Sequence, residues 1–207
     1  IFAVDAKTGE RQWVNQFTAN DTFNMACVAG TVNCPDQEGP DLDFGAPPLF
    51  GKNRDGRELL FVAQKSGTVS ALDPKTGKAV WRKTFGRGGY LGGIHWGLAI
   101  DPQRGVLYVP ISDYPAGLDL SAEPRPGMYA LNTNDGGVEW FAAKDFSAEA
   151  RAELGFWPGL SAAIVAANGV VVAGDLAGQI DVYDASNGKV LWRYNTAINF
   201  ATVNKVT

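Results

Sequence analysis

The chain has 207 residues, 45% of them hydrophobic, with a formal net charge of -4 and a pI near 5.0. That length and apolar content suffice for one large core, or for several small units of shared architecture, and exclude a disordered chain. The acidic balance, with no basic stripe, argues against nucleic acid or an anionic membrane as a partner, and no apolar run is long enough to span a bilayer.

The chain opens on "IFAVDAKTG", inside a strand pattern and without an initiator methionine or a signal segment, which reads as an internal starting point. Residues 3 to 13, "AVDAKTGERQW", form an alternating strand, a tight turn on Thr-Gly and a return strand ending in Trp13, the pattern of a β-hairpin. The same template returns as "ALDPKTGKAVW" (71 to 81), "ALNTNDGGVEW" (130 to 140) and "VYDASNGKVLW" (182 to 192). Each time an Asp or Asn precedes Trp by eight positions. Ahead of three of these hairpins lies another strand, in "ELLFVAQKSGTVSAL", "GVLYVPISD" and "GVVVAGDLAGQIDVY", itself preceded by an apolar stretch, "APPLF", "IHWGLAI" or "GLSAAIVA". The repeating unit is four antiparallel strands. The tryptophans at 13, 81, 140 and 192 are spaced more widely than the roughly 40 to 50 residues of a bare propeller blade, so loops have been inserted. The expected fold is an all-β, β-propeller domain over 1 to 207, about three whole blades plus split pieces, with the tryptophans wedged between neighbouring blades.

Between the first and second templates stand Cys27 and Cys34, in a loop rich in Gly, Asn, Asp and Pro. A metal site would call for further His or Cys ligands that this loop does not supply, so a short-loop disulfide is expected ahead of two free, inert thiols. A disulfide implies an oxidising compartment, most simply a bacterial periplasm.

With strands counted A to D from the axis outward, the D-to-A and B-to-C connections open on one face and the short Thr-Gly type turns on the other. The long insertions, 17 to 44, 85 to 94, 113 to 126 and 143 to 159, all fall on the first face, as binding loops on a rigid scaffold do. The starts of the innermost strands supply Asp41 and Asp43, then His95 and Trp96, then Phe156 and Trp157, and the B-to-C turn "QKSG" adds Lys65. Taken singly these are a pair of solvated loop carboxylates, a histidine satisfying a backbone carbonyl, a turn lysine and a lid over the core. Together they bring acid, base, cation and ring to one mouth. Such a set suits a flat anionic cofactor more than hydrolysis: no Ser or Cys nucleophile arrangement is visible, and no Gly-rich phosphate loop marks nicotinamide binding.

The ordered series "GPDLDFGAPPLF", "FVAQKSGTVSALDPKTG", "GGIHWGLAIDPQRGVLYVP" and "FWPGLSAAIVAANGVVVAGDLAGQIDVYDASNGKVLW" resembles the pyrroloquinoline quinone (PQQ) dependent alcohol dehydrogenases, and among them most the polyvinyl alcohol-oxidising members, over nearly all of the chain. The resemblance implies oxidation of an alcohol, secondary or polymeric, with PQQ and a divalent cation such as Ca²⁺, and electrons leaving to a cytochrome c. Carried over by residue, Asp41 takes the place of the catalytic base with Asp43 beside it, both also candidate metal ligands. Lys65 is the cation near the quinone carbonyls, and His95, Trp96 and Trp157 contact the cofactor. "NDTFN" (20 to 24) also matches part of the split catalytic segment, so the base is Asp21, Asp41 or Asp43. The family's adjacent-cysteine disulfide, stacking Trp and most metal ligands belong to a preceding stretch, which makes the chain the later half of an eight-bladed propeller whose remainder is a partner. Two other readings stand beside this one: a cofactor-free propeller of the same repeat type acting as an assembly scaffold, and a complete four-bladed ring.

Overall fold

The computed structural model describes residues 1–116 and 118–200; positions 117 and 201–207 of the expected domain lie outside the described residues. In chain order the elements are β1 (Phe2–Val4), β2 (Arg11–Val14), α1 (Met25–Ala29), β3 (Leu49–Lys52), β4 (Glu58–Ala63), β5 (Thr68–Leu72), β6 (Ala79–Thr84), β7 (Ala99–Asp101), β8 (Val106–Ile111), β9 (Gly127–Asn132), β10 (Val138–Ala143), α2 (Ala148–Leu154), β11 (Val165–Ala167), β12 (Val170–Gly174), β13 (Gln179–Asp184) and β14 (Val190–Asn195). β3 to β6, β7 to β10 and β11 to β14 each make a four-stranded antiparallel meander, and β1 pairs with β2 alone. The three meanders are propeller blades of the four-stranded unit that the repeat predicts, and the β1–β2 pair is a split piece.

The repeat has a local cause. In each hairpin the Asp or Asn side chain folds back on its own turn. The Asp5 carboxylate accepts from the Lys7 and Thr8 N–H groups at 2.8 and 2.9 Å, Asp73 from Lys75 and Thr76 at 3.0 and 3.1 Å, Asn132 from Asn134 at 2.9 Å, and Asp184 from Ser186 at 2.7 Å. The chain then reverses through a glycine in the left-handed region, at Gly9, Gly77, Gly136 and Gly188. All four hairpins carry a register shift near the end next to this turn, which increases the local twist.

The tryptophans join one blade to the next by a fixed rule. The indole N–H of Trp13 donates to the Pro74 carbonyl at 3.0 Å, Trp81 to Thr133 at 3.0 Å and Trp140 to Ala185 at 3.2 Å. Each acceptor follows the turn Asp or Asn of the next repeat. Each ring lies against the glycine of that same turn, at Gly77, Gly136 and Gly188, where a Cβ would collide with the indole. β8 shows what lies between: it is buried along its whole length, with Leu107, Val109 and Ile111 in one apolar cluster and Val106 and Tyr108 in the other. The first cluster joins β3–β6 to β7–β10 and the second joins β7–β10 to β11–β14, so alternate residues of one strand serve two interfaces.

Candidate active site

The long connections gather at one end of the sheets, and close backbone packing draws three of them together. The Lys65 N–H in the β4–β5 turn donates to the Asp43 carbonyl at 3.0 Å. A Cβ at Gly45 would strike the carbonyl of His95, and one at Gly93 the carbonyl of Lys65. Glycine at these two positions is therefore what allows residues 41–45, 64–67 and 92–96 to meet.

At their junction the Lys65 ammonium donates to Asp41 Oδ1 at 2.8 Å and to Asp43 Oδ2 at 3.0 Å. The two carboxylates are not equivalent: the Asp41 side chain is 15% exposed and that of Asp43 69%. Burial pushes the Asp41 carboxyl above its ordinary value against the pull of Lys65, whereas the Lys65 hydrogen bond, outweighing burial, holds Asp43 below its own. Burial works against the charged form of Lys65, but hydrogen bonds and charge from both aspartates outweigh it and keep the ammonium above its usual range.

Asp21 has a different task. Its carboxylate accepts the backbone N–H groups of Asp41 at 3.0 Å and Leu42 at 2.6 Å, and so fixes the segment that carries the pair. Asp41 itself stands in the left-handed region at φ 58°, a conformation Asp tolerates better than most residues.

His95 is buried beside this group and uses both ring nitrogens. Nε2–H donates to the Tyr90 carbonyl at 2.5 Å, which leaves Nδ1 to accept from the Ser161 hydroxyl at 2.9 Å. Burial also lowers its pKa, so the ring is neutral at pH 7. Trp96 is exposed, its ring 6.1 Å from that of His95. Trp157 is buried. Its N–H donates to the Ser112 carbonyl at 2.6 Å, and Phe146, Tyr114 and the Arg151 guanidinium surround its ring. Ser112 in turn donates its hydroxyl to the Leu91 carbonyl, and the Asp113 N–H donates to Gly92 at 2.7 Å, which ties Trp157 to the stretch leading into His95.

The structure thus brings Asp41, Asp43 and Lys65 into direct contact, sets His95 and Trp96 beside them, and links Trp157 through Ser112. The roles of Asp21, Tyr90, Ser112 and Ser161 were not legible from residue type; Ser161 alone had a positional signal, standing like Asp43 and His95 ahead of the first strand of a sheet. Cys27 and Cys34 form a disulfide with Cα atoms 4.6 Å apart. With Glu38 they make a cluster of potential metal ligands, but both sulfurs are spent on each other. Among the described residues no helix is long and apolar enough to cross a membrane.

A family model named PQQ_2 and described as "Outer membrane protein assembly factor BamB" matches residues 1–205. Among curated proteins, the chain is 35% identical over 95% of its length to "Polyvinylalcohol dehydrogenase" of Pseudomonas sp., and 33% identical over 98% to the protein of that name from Sphingopyxis sp.. It spans 30% and 31% of the lengths of those relatives. Of solved structures, quinohemoprotein alcohol dehydrogenase from Comamonas testosteroni superposes with a TM-score of 0.61 over 94% of this chain and 34% of its own, at 18% identity. A europium-containing methanol dehydrogenase gives 0.58 over 94% and 39%, at 15% identity. At such identities these two report the propeller fold.

Proposed function

This chain belongs to the PQQ-type propeller family described as outer membrane protein assembly factor BamB, in its PQQ-dependent alcohol dehydrogenase-like branch, and from that premise we propose that it forms part of an enzyme oxidising secondary or polymeric alcohols. The observation that carries the reading is the half-buried Lys65 ammonium shared by two aspartates of opposite electrostatic bias.

The residues fit an anionic quinone in kind. Lys65 supplies a fixed cation for its carbonyls, Trp96 offers an open aromatic face, and the Asp41 and Asp43 carboxylates offer the hard oxygens that Ca²⁺ takes. When bound, PQQ supplies the two-electron acceptor and the cation polarises it. The chain's own part is to accept and hold charge. Asp41, whose protonated form burial already favours, takes the proton of the substrate hydroxyl at a carboxylate oxygen. Asp43 keeps Lys65 charged and in place, and Lys65 meets the negative charge that builds as the carbinol carbon is oxidised. His95, neutral and bonded at both nitrogens, pins Tyr90 to the Ser161 loop and so holds the backbone segment that carries Trp96; Trp157 braces the same rim through Ser112. Electrons then pass to a cytochrome c. The disulfide supports a periplasmic or otherwise extracytoplasmic site of action. The described blades are, in this reading, one part of an eight-bladed ring.

A second reading, a cofactor-free scaffold that holds partner proteins, is favoured by the description attached to the family model. One assay separates the two. The whole protein is supplied with PQQ and Ca²⁺, and dye reduction is followed with a secondary alcohol. The enzyme reading expects turnover above blank and a loss of about 10² to 10⁴-fold in Asp41→Asn. No rate above blank, or a rate unchanged by that substitution, sinks it in favour of the scaffold.

A further inference from the structure

A cavity of about 440 Å³ opens beside Asp41, lined by Phe23, Met25, Val28, Pro40, Asp41 and Tyr90, together with Glu38 and Gly39. We propose that this cavity, walled by the disulfide-closed loop, receives the alkyl arm of the alcohol and sets a preference for secondary alcohols with long apolar substituents. The proposal rests on the enzyme reading above and adds the substrate class to it.

Three observations carry it. The cavity shares Asp41 with the Lys65 pair, so a hydroxyl at that carboxylate would project its alkyl arm against the wall. The wall is apolar where solvent would favour polar groups: Met25 and Val28, three positions apart on one face of α1, are both exposed. It is also fixed in place. The Cys27–Cys34 bond closes the loop, the Asn24 side chain caps α1 by accepting from the Ala26 N–H, and Asn24 Nδ2 crosses to the Asn33 carbonyl at 3.2 Å. Thr22 further ties the near side of the loop to Gln37 and Glu38 through its hydroxyl at 2.6 Å and its N–H at 3.0 Å. A preformed apolar cavity of this size accommodates a medium-length chain and gains little from ethanol or methanol. Each methylene buried against it raises kcat/KM by about fourfold until the wall is covered.

The test uses the whole protein with methyl-¹³C methionine, the Met25 signal being assigned by its loss in Met25→Leu. Titration with 2-octanol is expected to shift Met25 and to leave the fully buried Met128 unmoved, with 2-propanol at equal concentration doing neither. In the dye assay the 2-octanol to 2-propanol ratio of kcat/KM is expected to fall about tenfold in Met25→Ser and in Val28→Ser. It is expected to hold in Val32→Ser, an exposed residue of the same loop that does not line the cavity. A Met25 signal that stays still at saturating 2-octanol, or a ratio unchanged in both wall variants, overturns the proposal while leaving the enzyme reading intact. If the wild-type protein oxidises no alcohol, the enzyme reading falls and the titration alone decides the cavity: a Met25 shift keeps it as an apolar-alcohol site, and no shift removes it.

Discussion

At Asp41 opposing influences set the charge: burial and the nearby Asp43 favour the protonated form, Lys65 the ionised one. A base works ionised, so the acid limb of kcat/KM is expected at a pH above that of an ordinary aspartate. The sign of each perturbation follows. Asp43→Asn removes a neighbouring negative charge and moves the limb to lower pH; Lys65→Met removes the positive one and moves it to higher pH. A pH profile of the three proteins checks this, and a limb that stays put in both variants would show that another group sets it. Asp41, Asp43 and Lys65 could be named from sequence because they sit at fixed places relative to the strands of a repeat. The bonds of His95 could not. Its partners are a carbonyl and a hydroxyl 66 residues away, and neither has a chemical mark in the sequence. The same holds for Asp21, whose carboxylate serves two backbone N–H groups of a segment 20 residues on.

The hairpins are the elements that the sequence specifies most fully, because one side chain, one glycine and one tryptophan settle the turn and its seat in the neighbouring blade. Trp81 is the clearest case: 8% exposed, with its indole on Gly136 and its N–H on Thr133. Trp81→Ala is expected to cost about 3 to 5 kcal/mol, since it leaves a cavity between two sheets and an unmet carbonyl. Denaturant unfolding measures that, and a loss under about 1 kcal/mol would mean that the blades do not depend on this wedge. The helices α1 and α2 were not foreseen. With five and seven residues they are too short for a helical period to emerge. Their only marks were the caps, Asn24 and Ser147 at the start and Gly30 and Gly155 at the end, which in loops rich in the same residue types read as turns.

At the scale of the whole molecule, the blade rule reaches its last repeat without a seat among the described residues. Trp192 is 51% exposed and stacks on Tyr194 at 5.6 Å, whereas Trp13, Trp81 and Trp140 each dock on the following turn. The chain spans 30% and 31% of the lengths of the two polyvinylalcohol dehydrogenases it matches. The repeat made the propeller legible because it needs only local pattern. The number of blades was not, since ring closure depends on angles that no single hairpin encodes. Whether the mouth at Lys65 binds the quinone is decided by a crystal structure of the whole protein reconstituted with PQQ. The quinone is expected against Lys65, with the Asp41 carboxylate facing it and Trp96 at its edge. Quinone bound at another place, with the Lys65 pair untouched, would contradict it.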